Sequence, residues 1–266
     1  MRSYESKNYL QHLIEKPAYW YADVLAHVRD LKPRRVLELG CGDGAFSRLL
    51  GEERIRVLAL DNSKTFLEYA QKHTKSRLVR FERANLDSAV GLSVNERFDV
   101  VVSIDVVEHI KRKERLLKDA ASALGDGKAR GGHLVLQVPN LYCNVVSRNY
   151  VHSPKNICKK FFRAIRGVCS RKPPEDITKV EYGLDYRFAD HDAVWLSSPF
   201  WYLDFFKRNE WKVLSFTSFS YESENKIIKA IVRFFGYIPI VRYMGGRMIF
   251  VAQYQGASTE PEQKKK

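Results

Sequence analysis

The sequence predicts an α/β fold, a doubly wound and mostly parallel sheet with helices on both faces, interrupted by a basic helical insertion. Three observations carry this expectation. Between residues 34 and 140, short runs rich in Val, Leu and Ile alternate with stretches whose apolar residues fall at helical intervals, the pattern of parallel strands joined by crossover helices. The first of those runs opens into a glycine-rich turn and then a helix. The third is composition: 266 residues with 45% hydrophobic and 29% charged side chains supply a large core and exclude both a stapled miniature scaffold and a wholly disordered chain.

Residues 1–30 read as an N-terminal helical segment, and 31–140 as the core that binds a ligand. Strands are expected at 35–39, 56–60, 78–82, 98–104 and 133–138, with helices at 45–50, 63–73 and 111–124 between them. Ser63 is a suitable N-cap and Gly125 a suitable stop. From 141 to 200 the texture changes to a basic insertion, read as a substrate lid. Within it, residues 141–179 hold nine Lys or Arg against Glu175 and Asp176, about half of the net charge of +14. A helix near 200–208 and strands at 211–219 and 247–254 complete the same sheet within 201–254, and the polar tail 255–266 is expected to be disordered.

The four cysteines, Cys41, Cys143, Cys158 and Cys169, lack zinc-site spacing and are too sparse for a disulfide framework, so reduced thiols in a cytoplasmic protein are expected. No signal-peptide pattern opens the chain. The most apolar stretch, 227–244, is broken by Lys229, Arg233, Pro239 and Arg242, so no membrane span is expected. The net charge of +14 favours polyanions, anionic lipid surfaces or acidic substrates, without choosing among them.

The most informative stretch is Val36-Leu37-Glu38-Leu39-Gly40-Cys41-Gly42-Asp43-Gly44-Ala45. Glycines at 40, 42 and 44 let the backbone adopt positive φ and approach a small ligand at the carboxyl edge of the first strand. A tight turn alone would need one or two of them. The loop also satisfies the dinucleotide pattern, and Asp61 stands where a carboxylate holds ribose hydroxyls in either reading. Glu38 and Asp43 separate the two: carboxylates there repel a pyrophosphate and attract the ammonium and sulfonium of S-adenosylmethionine. An NAD(P)-dependent oxidoreductase is the reading from the other class.

These residues resemble the class I S-adenosylmethionine-dependent methyltransferases. Residues 38–44 look like that family's first motif, Asp61 like its ribose-holding acid, 103–110 (Ser-Ile-Asp-Val-Val-Glu-His-Ile) like its fourth-strand motif, and Gly131-Gly132 with 133–140 like its fifth-strand segment. The resemblance implies a Rossmann-like sheet of seven strands with one antiparallel, and S-adenosyl-L-methionine as cofactor. It places Glu38, Gly40, Cys41, Gly42, Asp61, Asn62, Asn85, Leu86 and Asp105 around that cofactor. Many relatives carry an aspartate at the position matching Asn85. Its amide can accept only through the carbonyl oxygen, so Asp87 is an alternative adenine partner and a plain loop role the bland reading.

Methyl transfer requires orientation of the acceptor and removal of its proton. Asp105, Glu108 and His109 stand where the resemblance places the cofactor mouth, and Asp105 and His109 are the candidate bases; a histidine there can equally bind backbone at a helix start. The same three residues have the spacing by which some relatives hold a divalent metal. Those relatives begin with Glu, and an RNA-modifying site would need a further histidine, for which His152 and His191 lack a motif, so no metal is expected. Residues 156–169 and a stretch from Lys226 to 241 each combine a basic face with Phe and Ile. They suit a lid over an acceptor pocket or the surface of an anionic membrane. The expected activity is O-methylation of a small or lipid-linked acceptor, in the cytoplasm or peripherally at a membrane. RNA methylation is the alternative, because basic and aromatic residues also serve nucleic acids.

Overall fold

The computed structural model describes residues 7–16, 18–88, 94–124, 132–140, 197–218 and 245–256, with short pieces at 162, 165–166, 234, 237–238 and 241–243. Seven strands form one sheet: β1 (Arg35–Leu39), β2 (Arg56–Asp61), β3 (Val79–Arg83), β4 (Val100–Ile104), β5 (His133–Pro139), β6 (Trp211–Thr217) and β7 (Arg247–Tyr254). Their order is β3-β2-β1-β4-β5-β7-β6. The first five pair in parallel, and β7 runs antiparallel to β5 and β6. The expected seven strands with one antiparallel are therefore present.

Helices cover both faces: α1 (Lys7–Ile14), α2 (Ala22–Leu31), α3 (Ala45–Glu52), α4 (Lys64–His73), α5 (Lys113–Ala123) and α6 (Pro199–Arg208). Successive strand residues point to opposite faces, so a strand packed on both sides is mostly apolar on each. In β1, Val36 joins Val24 and Val28 of α2, Phe46 and Leu50 of α3 and Leu67 of α4. Its neighbour Leu37 joins Leu116 and Leu117 of α5 and Phe205 and Phe206 of α6. The edge strand β3 buries only Phe81, which is why its run is mixed in polarity.

Several boundaries differ from the sequence expectation. The fourth strand begins at Val100 because the Phe98 N–H donates to the Ala123 carbonyl and Phe98 bridges Leu124 at the end of α5. The helix expected from 111 begins at Lys113, since the Arg112 N–H is held by the Asp87 carboxylate at 3.0 Å and its guanidinium by the Asp87 carbonyl at 2.9 Å. The third strand sits one residue later, at 79–83. The sixth ends at Thr217, where the Ser218 hydroxyl accepts from the Gly245 N–H at 2.9 Å and donates to the Arg242 carbonyl. Ser63 caps α4 by accepting from the Phe66 N–H at 3.3 Å. The Gly125 stop and the tail beyond Gly256 lie outside the described residues. So do the amphipathic stretches, except for helical positions such as Phe162 and Phe234, both exposed. Among the described residues no helix is long and apolar enough to cross a membrane.

Candidate active site

At the carboxyl end of β1 the chain turns through Gly40, Gly42 and Gly44, with φ of 78°, 54° and 74°. Two of the three are sterically required. A Cβ at Gly40 would run into the Val106 side chain, and one at Gly44 would lie 2.8 Å from Ala70 Cβ and 2.9 Å from the Phe81 ring. At Gly42 the added carbon would meet only Leu13 of α1, at 3.2 Å, so the helix passes over an otherwise open backbone. The end of β2 fixes the loop. The Leu60 carbonyl accepts from the N–H groups of Gly40 (2.7 Å) and Cys41 (3.0 Å), and the Asp61 carboxylate accepts from Gly42 (2.9 Å) and Ser63 (2.8 Å).

The two acids beside the loop behave differently from the sequence expectation. Glu38 is only 3% exposed and accepts from the Ser47 hydroxyl of α3. Burial pushes its carboxyl up to about 8, opposed by that hydrogen bond and reinforced by the nearby charges of Asp43 and Asp61. Asp43 turns to Arg48, pairing at 3.1 Å, while its other oxygen accepts from the Ala45 N–H at 3.3 Å. Neither carboxylate presents open charge to a ligand. The argument against a diphosphate changes accordingly: that ligand needs the first N–H groups of α3, and the Asp43 side chain already sits there.

Burial also raises the Asp61 carboxyl, against hydrogen bonds from the N–H groups of Ser63, Gly42 and Asn62. An ionised carboxylate has about four acceptor sites, so three N–H donors leave one for a ribose hydroxyl. Cys41 is buried, and burial pushes its thiol up. Asn62 offers its carbonyl to Arg83 at 3.0 Å. Asn85 follows β3 and accepts from the Asp87 N–H at 3.1 Å, an Asx turn that uses one of the two acceptor sites of the carbonyl oxygen considered for adenine. Leu86, beside it, packs on the core below the sheet edge.

Beyond β4, Asp105 has φ +53°, a strained conformation for a non-glycine residue. Its N–H donates to the Gln137 carbonyl at 3.0 Å. Its carboxylate oxygens each lie 3.4 Å from the Gln137 amide nitrogen, and one lies 3.5 Å from Arg247 Nε. His109 occupies the one-turn 3₁₀ helix Val107–His109, with its N–H on the Val106 carbonyl at 2.9 Å. Tyr21 comes from the N-terminal stretch and is buried. Desolvation, with the charges of Asp43, Glu38 and Asp105, pushes its phenol up. Trp20 stacks under the Arg247 guanidinium at 3.7 Å. Sequence reading missed Trp20, Tyr21, Gln137 and Arg247; the available signals were the aromatic triplet 19–21 and a single arginine heading an apolar strand.

A family model described as a methyltransferase domain matches residues 9–193 of this chain. Over 97 residues the chain is 26% identical to the ubiquinone biosynthesis O-methyltransferase of Coxiella burnetii, a match covering 36% of this chain and 42% of that protein. Over 94 residues it is 31% identical to the protein of the same name from a Methylobacterium species, covering 35% and 37%. The chain thus spans about two fifths of the length of the curated relatives it matches. Among solved structures, an S-adenosylmethionine-dependent methyltransferase from Mesorhizobium loti aligns with a TM-score of 0.55 and 19% identity over 90% of this chain and 99% of that one, a likeness of fold.

Proposed function

Since this chain belongs to the methyltransferase-domain family, we propose that it is an S-adenosylmethionine-dependent O-methyltransferase acting on a small or lipid-linked acceptor. The observation that carries the reading is the glycine loop, three positive-φ glycines pinned to β2 through Leu60 and Asp61 at the carboxyl edge of a parallel sheet. In this reading the backbone at Gly40, Cys41 and Gly42 approaches the methionine part of the cofactor, and Glu38 braces that loop from below. Asp61 holds the ribose, and Asn62, Asn85 and Leu86 border the adenine. When bound, the cofactor supplies a methyl carbon activated by positive sulfur, whose S–C bond breaks as the O–C bond to the acceptor forms. Asp105 or His109 takes the acceptor's hydroxyl proton as general base.

The printed names of the relatives support transfer to oxygen, and the charge of +14 supports peripheral contact with an anionic membrane. The same charge supports RNA methylation as a second reading. Calorimetry tests the cofactor. S-adenosylmethionine binds the wild type, while Asp61→Ala and Gly40→Val each weaken it at least tenfold; unchanged affinity in both, or tighter binding of NADH, refutes the site. Incubation with cell extract and radiolabelled cofactor tests the acceptor: label enters the lipid or small-molecule fraction, whereas label confined to RNA selects the second reading. Sedimentation with phosphatidylserine vesicles at 50 mM salt, lost at 300 mM, is the expected membrane signature.

A further inference from the structure

Resting on the methyl-transfer reading above, we infer that α1 is itself part of the cofactor site, a strap that opens to admit S-adenosylmethionine and closes on it. Leu13 is the residue that covers the cofactor beside Gly42, and Trp20 is the latch.

The contact at Gly42 comes first. Leu13 Cδ1 stands 3.2 Å from the place a Gly42 Cβ would take. One further bond of about 1.5 Å puts Leu13 within about 4.7 Å of the Gly42 Cα. A ligand chain lying between the two needs contacts of about 3.5 Å on each side, about 7 Å in all. The loop does not yield that room, because Gly40, Cys41 and Gly42 are pinned to Leu60 and Asp61. A cofactor that reaches this backbone therefore lifts α1.

The attachment of α1 permits this. Downstream the chain is fixed: Tyr21 is buried with its ring 5.7 Å from that of Phe46, and Val24 and Val28 of α2 lie in the core. Upstream, none of the α1 side chains at Leu10, Gln11, Leu13 and Ile14 is buried. The backbone bonds at its end are local, with Glu15 N–H on the Gln11 carbonyl and Lys16 N–H on the Leu13 carbonyl, both at 3.1 Å. An element with few buried contacts opens at low cost without unfolding its neighbours.

Trp20 stands between the fixed and the loose part. Its ring centroid is 3.7 Å from the Arg247 guanidinium and 5.0 Å from Lys16 Nζ. Arg247 in turn contacts the Asp105 carboxylate at 3.5 Å, so the stack ties the N-terminal stretch to the β4 and β7 side of the site. Such a stack contributes about 0.5–2 kcal/mol. The indole N–H is buried with no acceptor among the described residues, which offsets part of that gain and keeps the latch weak.

Hydrogen exchange of the full chain, read by mass spectrometry with and without S-adenosylhomocysteine, tests the strap. In the free protein amides of residues 7–14 exchange faster than those of 22–31, and saturating S-adenosylhomocysteine slows them at least fivefold. Stopped-flow binding tests the residues: Leu13→Ala and Trp20→Ala each raise the dissociation rate of S-adenosylhomocysteine at least threefold. Trp20→Phe, which keeps a ring against the guanidinium, raises it less than Trp20→Ala. A purely structural role would lower the melting temperature and leave that rate alone. Should an alanine variant fail to fold, exchange in the wild type still decides. Exchange at 7–14 that S-adenosylhomocysteine leaves unchanged or speeds, or a dissociation rate unchanged in either alanine variant, overturns the inference. Failure of S-adenosylhomocysteine to bind the wild type overturns the methyl-transfer reading instead.

Discussion

At Glu38, burial holds near 8 a carboxyl whose ordinary value is 4.5, so the residue couples folding to pH in a definite direction. Below about 4.5 the folded and unfolded chains both carry the proton, and the group is neutral to stability. Between 4.5 and 8 the unfolded chain releases it and the folded chain does not, so rising pH favours unfolding; above 8 the cost is constant. Glu38→Gln keeps an oxygen that can accept from Ser47 and removes the titration. In the cofactor-free protein it is expected to raise stability at pH 8 by on the order of 4 kcal/mol, with the gap closing toward pH 5. Calorimetric melting at both pH values checks this, and a gap independent of pH contradicts it. Gly40 makes a second, steric case. Gly40→Ala meets Val106 and forces a side chain onto φ 78°, costing about 1–3 kcal/mol in chemical denaturation. Adding Val106→Ala recovers the overlap but not the backbone part, so the double variant lies between the single variant and the wild type.

Lys113 shows how one side chain joins two elements. At the start of α5 it is 4% exposed, with Nζ 2.6 Å from the Ser197 hydroxyl and 3.7 Å from the Trp201 ring of α6. Lys113→Met keeps the apolar stem and loses both polar contacts, so it is expected to cost about 1–3 kcal/mol, with Lys113→Ala costing more. Denaturant melts of the two variants check the order. Helical periodicity treats Lys113 as an ordinary polar position, and it extends α5 back to 111 because the Asp87 contacts that hold Arg112 lie 25 residues away along the chain. The central strands were legible because burial on both faces leaves apolar runs, unbroken in 57–60 and 100–102 and interrupted by one buried polar residue, Glu38, in 36–39. The loop 40–44 and Asp61 were legible because steric demand writes glycine into a short contiguous stretch. The Trp20, Gln137 and Arg247 cluster was not, since its members are distant along the chain and only the antiparallel entry of β7 brings them together. Charge alone also misled at Asp43, because its pairing with Arg48 depends on the first turn of α3.

Taken as a whole, the molecule gathers the residues of the candidate site on one edge of the sheet from elements that otherwise belong to separate faces. The glycine loop continues into α3 on one face, Asp105 leads toward α5 on the other, and Leu13 and Tyr21 reach the same edge from the N-terminal stretch. A ligand bound there contacts the folded arrangement and nothing comparable in the unfolded chain, so it stabilises the protein by mass action. At a hundredfold excess over Kd the gain is about 2.7 kcal/mol. For a chain of this size, roughly 2–4 °C accompany each kcal/mol. S-adenosylhomocysteine is therefore expected to raise Tm by about 5–10 °C, NADH at the same concentration to leave it unchanged, and Asp61→Ala to abolish the rise without removing the cooperative transition. A rise given by NADH and not by S-adenosylhomocysteine would assign the edge to a dinucleotide, because Asp43 would then have yielded the start of α3 to a diphosphate.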